Sequence, residues 1–133
     1  TGSDILSSLE YASALSTSVT LLYVFWLNEQ AYDIPPKLLK NLIAKSRQKL
    51  ESIAVSGKKK LLKLKKNSDI DIKTEVINAT NPGLAISWYA KKMNCDMTIM
   101  NTHGRTGIKR LVLGSEAEKV IRESSCPVLI KRA

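Results

Sequence analysis

Two cysteines, one histidine and one phenylalanine are all that 133 residues hold of these types. Cys95 and Cys126 are in no CxxC spacing, and His103 alone cannot complete a zinc site with them unless the fold brings all three together. Two reduced, mostly buried thiols are expected instead. Aromatic residues make up only 5% of the chain. No run of about eighteen apolar residues occurs and no charged, apolar, small-residue leader opens the chain, so neither a membrane span nor a secretory signal is supported. A cytoplasmic address is the expectation. Paired carboxylates, a nucleophile elbow, a metal-ligand cluster and the P-loop spacing GxxxxGK[ST] are missing as well, which leaves little for a dedicated enzyme.

Acidic residues are also scarce, 12 against 21 basic, for a net charge of +9. The excess gathers in "KKKLLKLKK", residues 58 to 66, where a nucleic-acid or anionic-membrane patch competes with a solvated helix face. The helix face is the preferred reading. Leu61 and Leu64 continue an apolar stripe through Leu39, Leu42, Ile43, Leu50, Ile53 and Ala54, which puts the lysines mainly on the opposite side. No aromatic is interleaved to stack on bases. At 44% hydrophobic and 25% charged, the chain suits a single domain, residues 1–133.

Periodicity alternates along the chain. Residues 3 to 16 read as an amphipathic helix with Ser3 or Asp4 as cap, and "SVTLLYVFW", 18 to 26, as an interior parallel strand. A long helix is predicted from about 36 to 66, loosened midway by Gly57, and "DIKTEVIN", 71 to 78, as a strand nearer a sheet edge. Asn81 and Pro82 open a third helix whose buried stripe is expected to be Leu84, Ala85, Trp88 and Tyr89. A strand at 95 to 101, a helix opened by a Ser115–Glu118 capping box and a closing strand in "PVLIKR" complete the order. Such alternation predicts an α/β fold, a doubly wound, mainly parallel sheet with helices on both faces.

In such a sheet, ligands collect at the carboxyl ends of strands, where helix amino termini aim unpaired N–H groups outward. The stretch after the 95–101 strand is one such place. Gly104 and Gly107 permit close backbone approach, Gly114 and Ser115 open the next helix, and Arg105, Lys109 and Arg110 supply positive charge. His103 lies in the same loop. It has no carboxylate or nucleophile at helix or strand spacing, so a turn residue is the preferred reading over a catalytic one.

The stretch "MNTHGRTGIKRLVLGSEAEKVIRESSCPVLIKR" closely resembles the carboxy-terminal signature of the universal stress protein family: Gly, two residues, Gly, nine residues, then Gly with Ser or Thr. Its second glycine is Gly104, its nine residues run from Arg105 to Leu113, and its final pair is Gly114 and Ser115. Looser likeness covers the rest of the chain. The resemblance implies a five-stranded sheet of order 3-2-1-4-5, usually a homodimer through the last strand. It further implies an adenine-nucleotide site for ATP or AMP, with or without Mg, acting as a stress sensor or regulator with slow hydrolysis at most.

The nucleotide would lie against Met100, Asn101, His103, Gly104, Arg105, Gly114, Ser115 and Glu116. Three positions depart from the family pattern: Asn101 stands in place of its first glycine, Thr1 in place of an acidic residue, and Glu116 in place of a small or apolar one. The alternative is a stress protein that binds no nucleotide and acts through dimerisation and protein partners; nucleic acid and membrane are not expected as partners. The family's first strand has no counterpart here, and apolar residues upstream of Thr1 are expected to supply it.

Overall fold

The computed structural model describes residues 2–15, 18–64, 69–101 and 113–131. They divide into two compact units, residues 2–80 and residues 81–133.

The first unit runs α1 (Gly2–Leu15), β1 (Ser18–Trp26), a short 3-10 turn (Glu29–Asp33), α2 (Pro36–Lys63) and β2 (Asp71–Ala79). β1 and β2 pair in parallel with Val19 opposite Ile72, Leu21 opposite Thr74 and Tyr23 opposite Val76. The face carrying Val19, Leu21, Ile72 and Val76 meets Leu9 of α1 and Leu50 and Leu61 of α2 in the core, with Ile5, Ile43, Ile53 and Ala54 packed around it. The apolar stripe of α2 is thus as its period predicts, except that Leu64 falls beyond the helix end and is exposed.

Three expectations for this unit need correction. The first helix begins at Gly2, so Ser3 and Asp4 stand within it rather than ahead of it as caps. The long helix ends at Lys63 and continues unbroken through Gly57, which is buried. A Cβ at Gly57 would run into Leu9 Cδ2 and stand 3.3 Å from Leu6 Cδ2. Glycine here admits α1 close against α2 instead of loosening the helix. β1 is less enclosed than its apolar composition suggested: Leu21 is buried, Leu22 and Val24 are half-buried, and Tyr23 and Trp26 are exposed. Among the described residues it has a single hydrogen-bonded neighbour, β2, and only one of its faces enters the core. β2 follows its predicted alternation, with Val76 buried and Lys73 and Glu75 exposed.

The second unit runs α3 (Pro82–Lys92), β3 (Thr98–Asn101), α4 (Ser115–Glu123) and β4 (Val128–Lys131). β3 and β4 pair in parallel, Thr98 opposite Val128 through Asn101 opposite Lys131. Asn81 caps α3 as predicted, its side chain accepting from Leu84 N–H, with Pro82 at the first helical position. The helix stops in a Schellman arrangement: Asn94 takes the left-handed φ of 51°, Asn94 N–H donates to Lys91 C=O and Cys95 N–H to Ala90 C=O.

The inward face of α3 differs from expectation. Gly83, Ser87 and Ala90 are buried, while Leu84 and Trp88 are exposed. The small residues let α4 approach, and a Cβ on Gly83 would stand 2.8 Å from Lys119 Cβ and 3.0 Å from the Glu116 carbonyl oxygen. Trp88 is instead covered on one side by the Lys92 ammonium, 4.8 Å from its ring centre.

The described strands thus form two parallel pairs, β1 with β2 and β3 with β4.

Candidate functional site

Met100 and Asn101 end β3, paired with Ile130 and Lys131 of β4 and half-buried. The chain then enters residues 102–112, and His103, Gly104 and Arg105 lie there, outside the described residues, as does Thr1. The chain is described again from Leu113, with Gly114 as the N-cap of α4 in an extended conformation and Ser115 as its first residue, exposed. The predicted capping box does not form. Gly114, not Ser115, is the cap and carries no side chain to accept from the first-turn amides, and Glu118 pairs with Arg122 at 2.8 Å one turn on. A helix start without a side-chain cap keeps its partial positive charge for another acceptor.

Glu116 is engaged sideways. Its Oε2 accepts from the Gly83 N–H at 2.6 Å and its Oε1 lies 3.4 Å from Lys119 Nζ. Gly83 is the second residue of α3, so this carboxylate satisfies one of the amides that a helix start leaves orphaned and meets the positive end of that helix dipole. Sequence spacing carried no signal for it, because thirty-three positions separate the partners. Glu116→Gln retains the shape with a neutral acceptor and should lower stability by about 1 kcal/mol, the exposed part of the side chain moderating the loss. Urea unfolding of the two proteins measures the difference.

One concavity was not anticipated. At the carboxyl ends of β1 and β2, Trp26, Leu27, Asn28, Glu29, Gln30, Tyr32 and Thr80 surround an open cavity of about 530 Å³. Trp26 is fixed by its indole N–H, which donates to Thr80 C=O at 3.2 Å, and Leu27 N–H donates to Ala79 C=O at 2.8 Å. Asn28 shapes the turn by accepting from Ala31 N–H at 3.1 Å. The available cue was an aromatic strand end followed by an Asx-capped turn. It is a common local pattern that does not by itself announce a cavity.

The thiols are free and half-buried, somewhat more open than expected. Cys126 Sγ lies 3.5 Å from the hydroxyls of Thr98 and Ser124. Burial first, then the neighbouring Cys126 and Asp96, pushes the Cys95 thiol above its ordinary value. It is therefore protonated at neutral pH and poorly suited to nucleophilic attack. Among the described residues no group of three or more His, Cys, Asp or Glu side chains is placed to hold a metal ion. No helix of the described residues is long and apolar enough to cross a membrane.

The sequence model of the universal stress protein family matches residues 7–132. The chain belongs to that family. It is 37% identical over 83 residues to universal stress protein MJ0531 of Methanocaldococcus jannaschii, an alignment covering 60% of this chain and 48% of that protein. It is 32% identical over 111 residues to universal stress protein MJ0577 of the same organism, covering 83% and 62%. The chain thus spans about half to three-fifths of the length of these relatives.

Among solved structures, that of MJ0577 superposes with a TM-score of 0.72 at 26% identity, covering 98% of this universal stress protein domain and 88% of that chain. A universal stress protein in complex with cAMP superposes with a TM-score of 0.59 at 19% identity, covering 98% and 90%. These neighbours carry the α/β architecture read from the alternating pattern of helices and strands.

Proposed function

We propose that this universal stress protein domain binds an adenine nucleotide at the carboxyl ends of its strands and acts as a stress sensor or regulator. The observation that carries the reading is the start of α4. Gly114 and the exposed Ser115 open this helix, and no side chain of the cap residue takes up the first-turn amides. Those amides and the Ser115 hydroxyl suit a phosphate. Met100 and Asn101 at the strand end, with His103, Gly104 and Arg105 beyond them, complete the proposed contact set. Glu116 borders this set, and its carboxylate is held at Gly83, which lessens the repulsion a free carboxylate beside Ser115 would offer. Support also comes from the cAMP bound by a family member of the same fold. A second copy is proposed to pair through β4, whose described ladder partner is β3 alone.

Thermal unfolding with ATP, AMP and cAMP tests the reading. A nucleotide at tenfold its dissociation constant adds about 1.4 kcal/mol, a rise of several degrees in Tm. Ser115→Asp should leave the unliganded Tm nearly unchanged, because an acidic residue suits a helix first turn, yet abolish the rise by repelling phosphate. An unchanged Tm with all three nucleotides at millimolar concentration overturns the proposal in favour of the dimer-and-partner alternative.

A further inference from the structure

The helix α2 carries nine of the chain's basic residues and one acidic residue, Glu51, so almost the whole net charge of +9 sits on it. Two of those cations are engaged within the fold: Lys60 pairs with Glu10 at 2.9 Å, and Lys58 donates to the Ile70 carbonyl at 3.0 Å. The lysine run is therefore only part of the surface. At about 100° per residue, Lys37, Lys45, Lys59 and Lys63 fall on one arc with Asn41, Gln48, Ser52 and Ser56, and all eight are exposed. Leu38 and Val55 stand at the edges of that arc. Glu51 falls outside it, and the buried Leu50, Gly57 and Leu61 lie on the opposite side.

From Lys37 to Lys63 the arc extends about 39 Å at 1.5 Å per residue, with four lysines interspersed with neutral hydrogen-bonding side chains. We propose that this outward face of α2 docks the phosphate backbone of a nucleic-acid duplex, independently of base sequence. Charge complementarity selects a polyanion. The lack of any aromatic residue on α2 selects a duplex over a single strand, because single-strand binding relies on base stacking. Asn, Gln and Ser beside the lysines are groups that bond phosphate oxygens. A membrane surface fits less well, since Ile43, Leu50, Ile53 and Leu61 lie in or against the core and the exposed Leu38, Val55 and Leu62 form no continuous apolar stripe for an interfacial helix to insert.

The test is fluorescence anisotropy of a labelled mixed-sequence DNA duplex of about 20 base pairs, titrated with the full chain at about 25 to 200 mM salt. Binding in the micromolar range at low salt is expected, weakening steeply as salt rises. The triple variant Lys45→Gln, Lys59→Gln, Lys63→Gln should bind at least tenfold more weakly, with a log–log salt slope shallower by about two to three. The triple Lys73→Gln, Lys91→Gln, Lys92→Gln removes equal charge elsewhere and should change affinity less than about twofold. Arginine at positions 45, 59 and 63 should retain wild-type affinity and separates loss of charge from loss of fold. Equal weakening by both glutamine triples, no duplex binding at the lowest salt, or binding to phosphatidylserine vesicles without binding to duplex overturns the proposal.

Discussion

Leu61→Ala should lower the free energy of unfolding by about 3 kcal/mol, while Leu62→Ala, one residue on, should change it by less than about 0.5 kcal/mol. Both leucines sit inside the lysine run, and composition does not tell them apart. Leu61 is 1% exposed in the cluster with Leu9, Leu50, Ile70 and Val76, whereas Leu62 is 58% exposed. Truncating the first removes transfer free energy and leaves a cavity lined by side chains held on α1, α2 and β2. Truncating the second removes surface already in contact with water. Urea unfolding followed by circular dichroism measures both, and equal effects would show that α2 does not present its stripe to this core.

Gly83→Ala should cost about 2–3 kcal/mol although alanine is the better helix former. A Cβ at this position meets Lys119 Cβ at 2.8 Å, Glu116 Oε2 at 2.9 Å and the Glu116 carbonyl oxygen at 3.0 Å. Two of these atoms belong to the backbone or its first side-chain carbon, so no rotamer change clears them, and α4 must move away from α3. The same movement lengthens the Gly83–Glu116 hydrogen bond. The losses from Gly83→Ala and Glu116→Gln should therefore be non-additive, the double variant falling short of the sum by about 0.5 kcal/mol or more. A cycle of the four proteins in urea reads the coupling, and strict additivity would separate the glycine contact from the carboxylate bond.

Leu61 and Gly83 show where the sequence was legible and where it was not. The alternation of elements, the stripe of α2 as far as Leu61 and the Asn81–Pro82 helix start rest on local periodicity and capping, and they stand as read. The inward face of α3 was misread because hydrophobicity ranks Leu84 and Trp88 as interior residues. The fold instead puts Gly83, Ser87 and Ala90 inward, a choice imposed by how closely α4 approaches, and α4 lies some thirty residues on. Glu116 illustrates the same limit at the candidate site. Its position at the first turn of α4 was legible, but its hydrogen bond to another helix was not.

Gly114 and Ser115 were legible as a helix start, yet the capping box was inferred from a spacing that the backbone does not use, because the cap falls one residue earlier. The cavity at Trp26 and Thr80 joins the ends of two strands that are neighbours only once the sheet exists. His103, Gly104 and Arg105, the remainder of the sequence motif, lie outside the described residues.

The β1–β2 ladder joins residues more than fifty positions apart in the chain. Were the intervening segment a free coil, closing that loop would cost at least about 3.5 kcal/mol of chain entropy before any strand bond compensated it. Condensing 28 of those residues into α2 replaces most of that freedom with one rigid strut. Were this helix to wind before the strands meet, it would shorten the conformational search that brings them together.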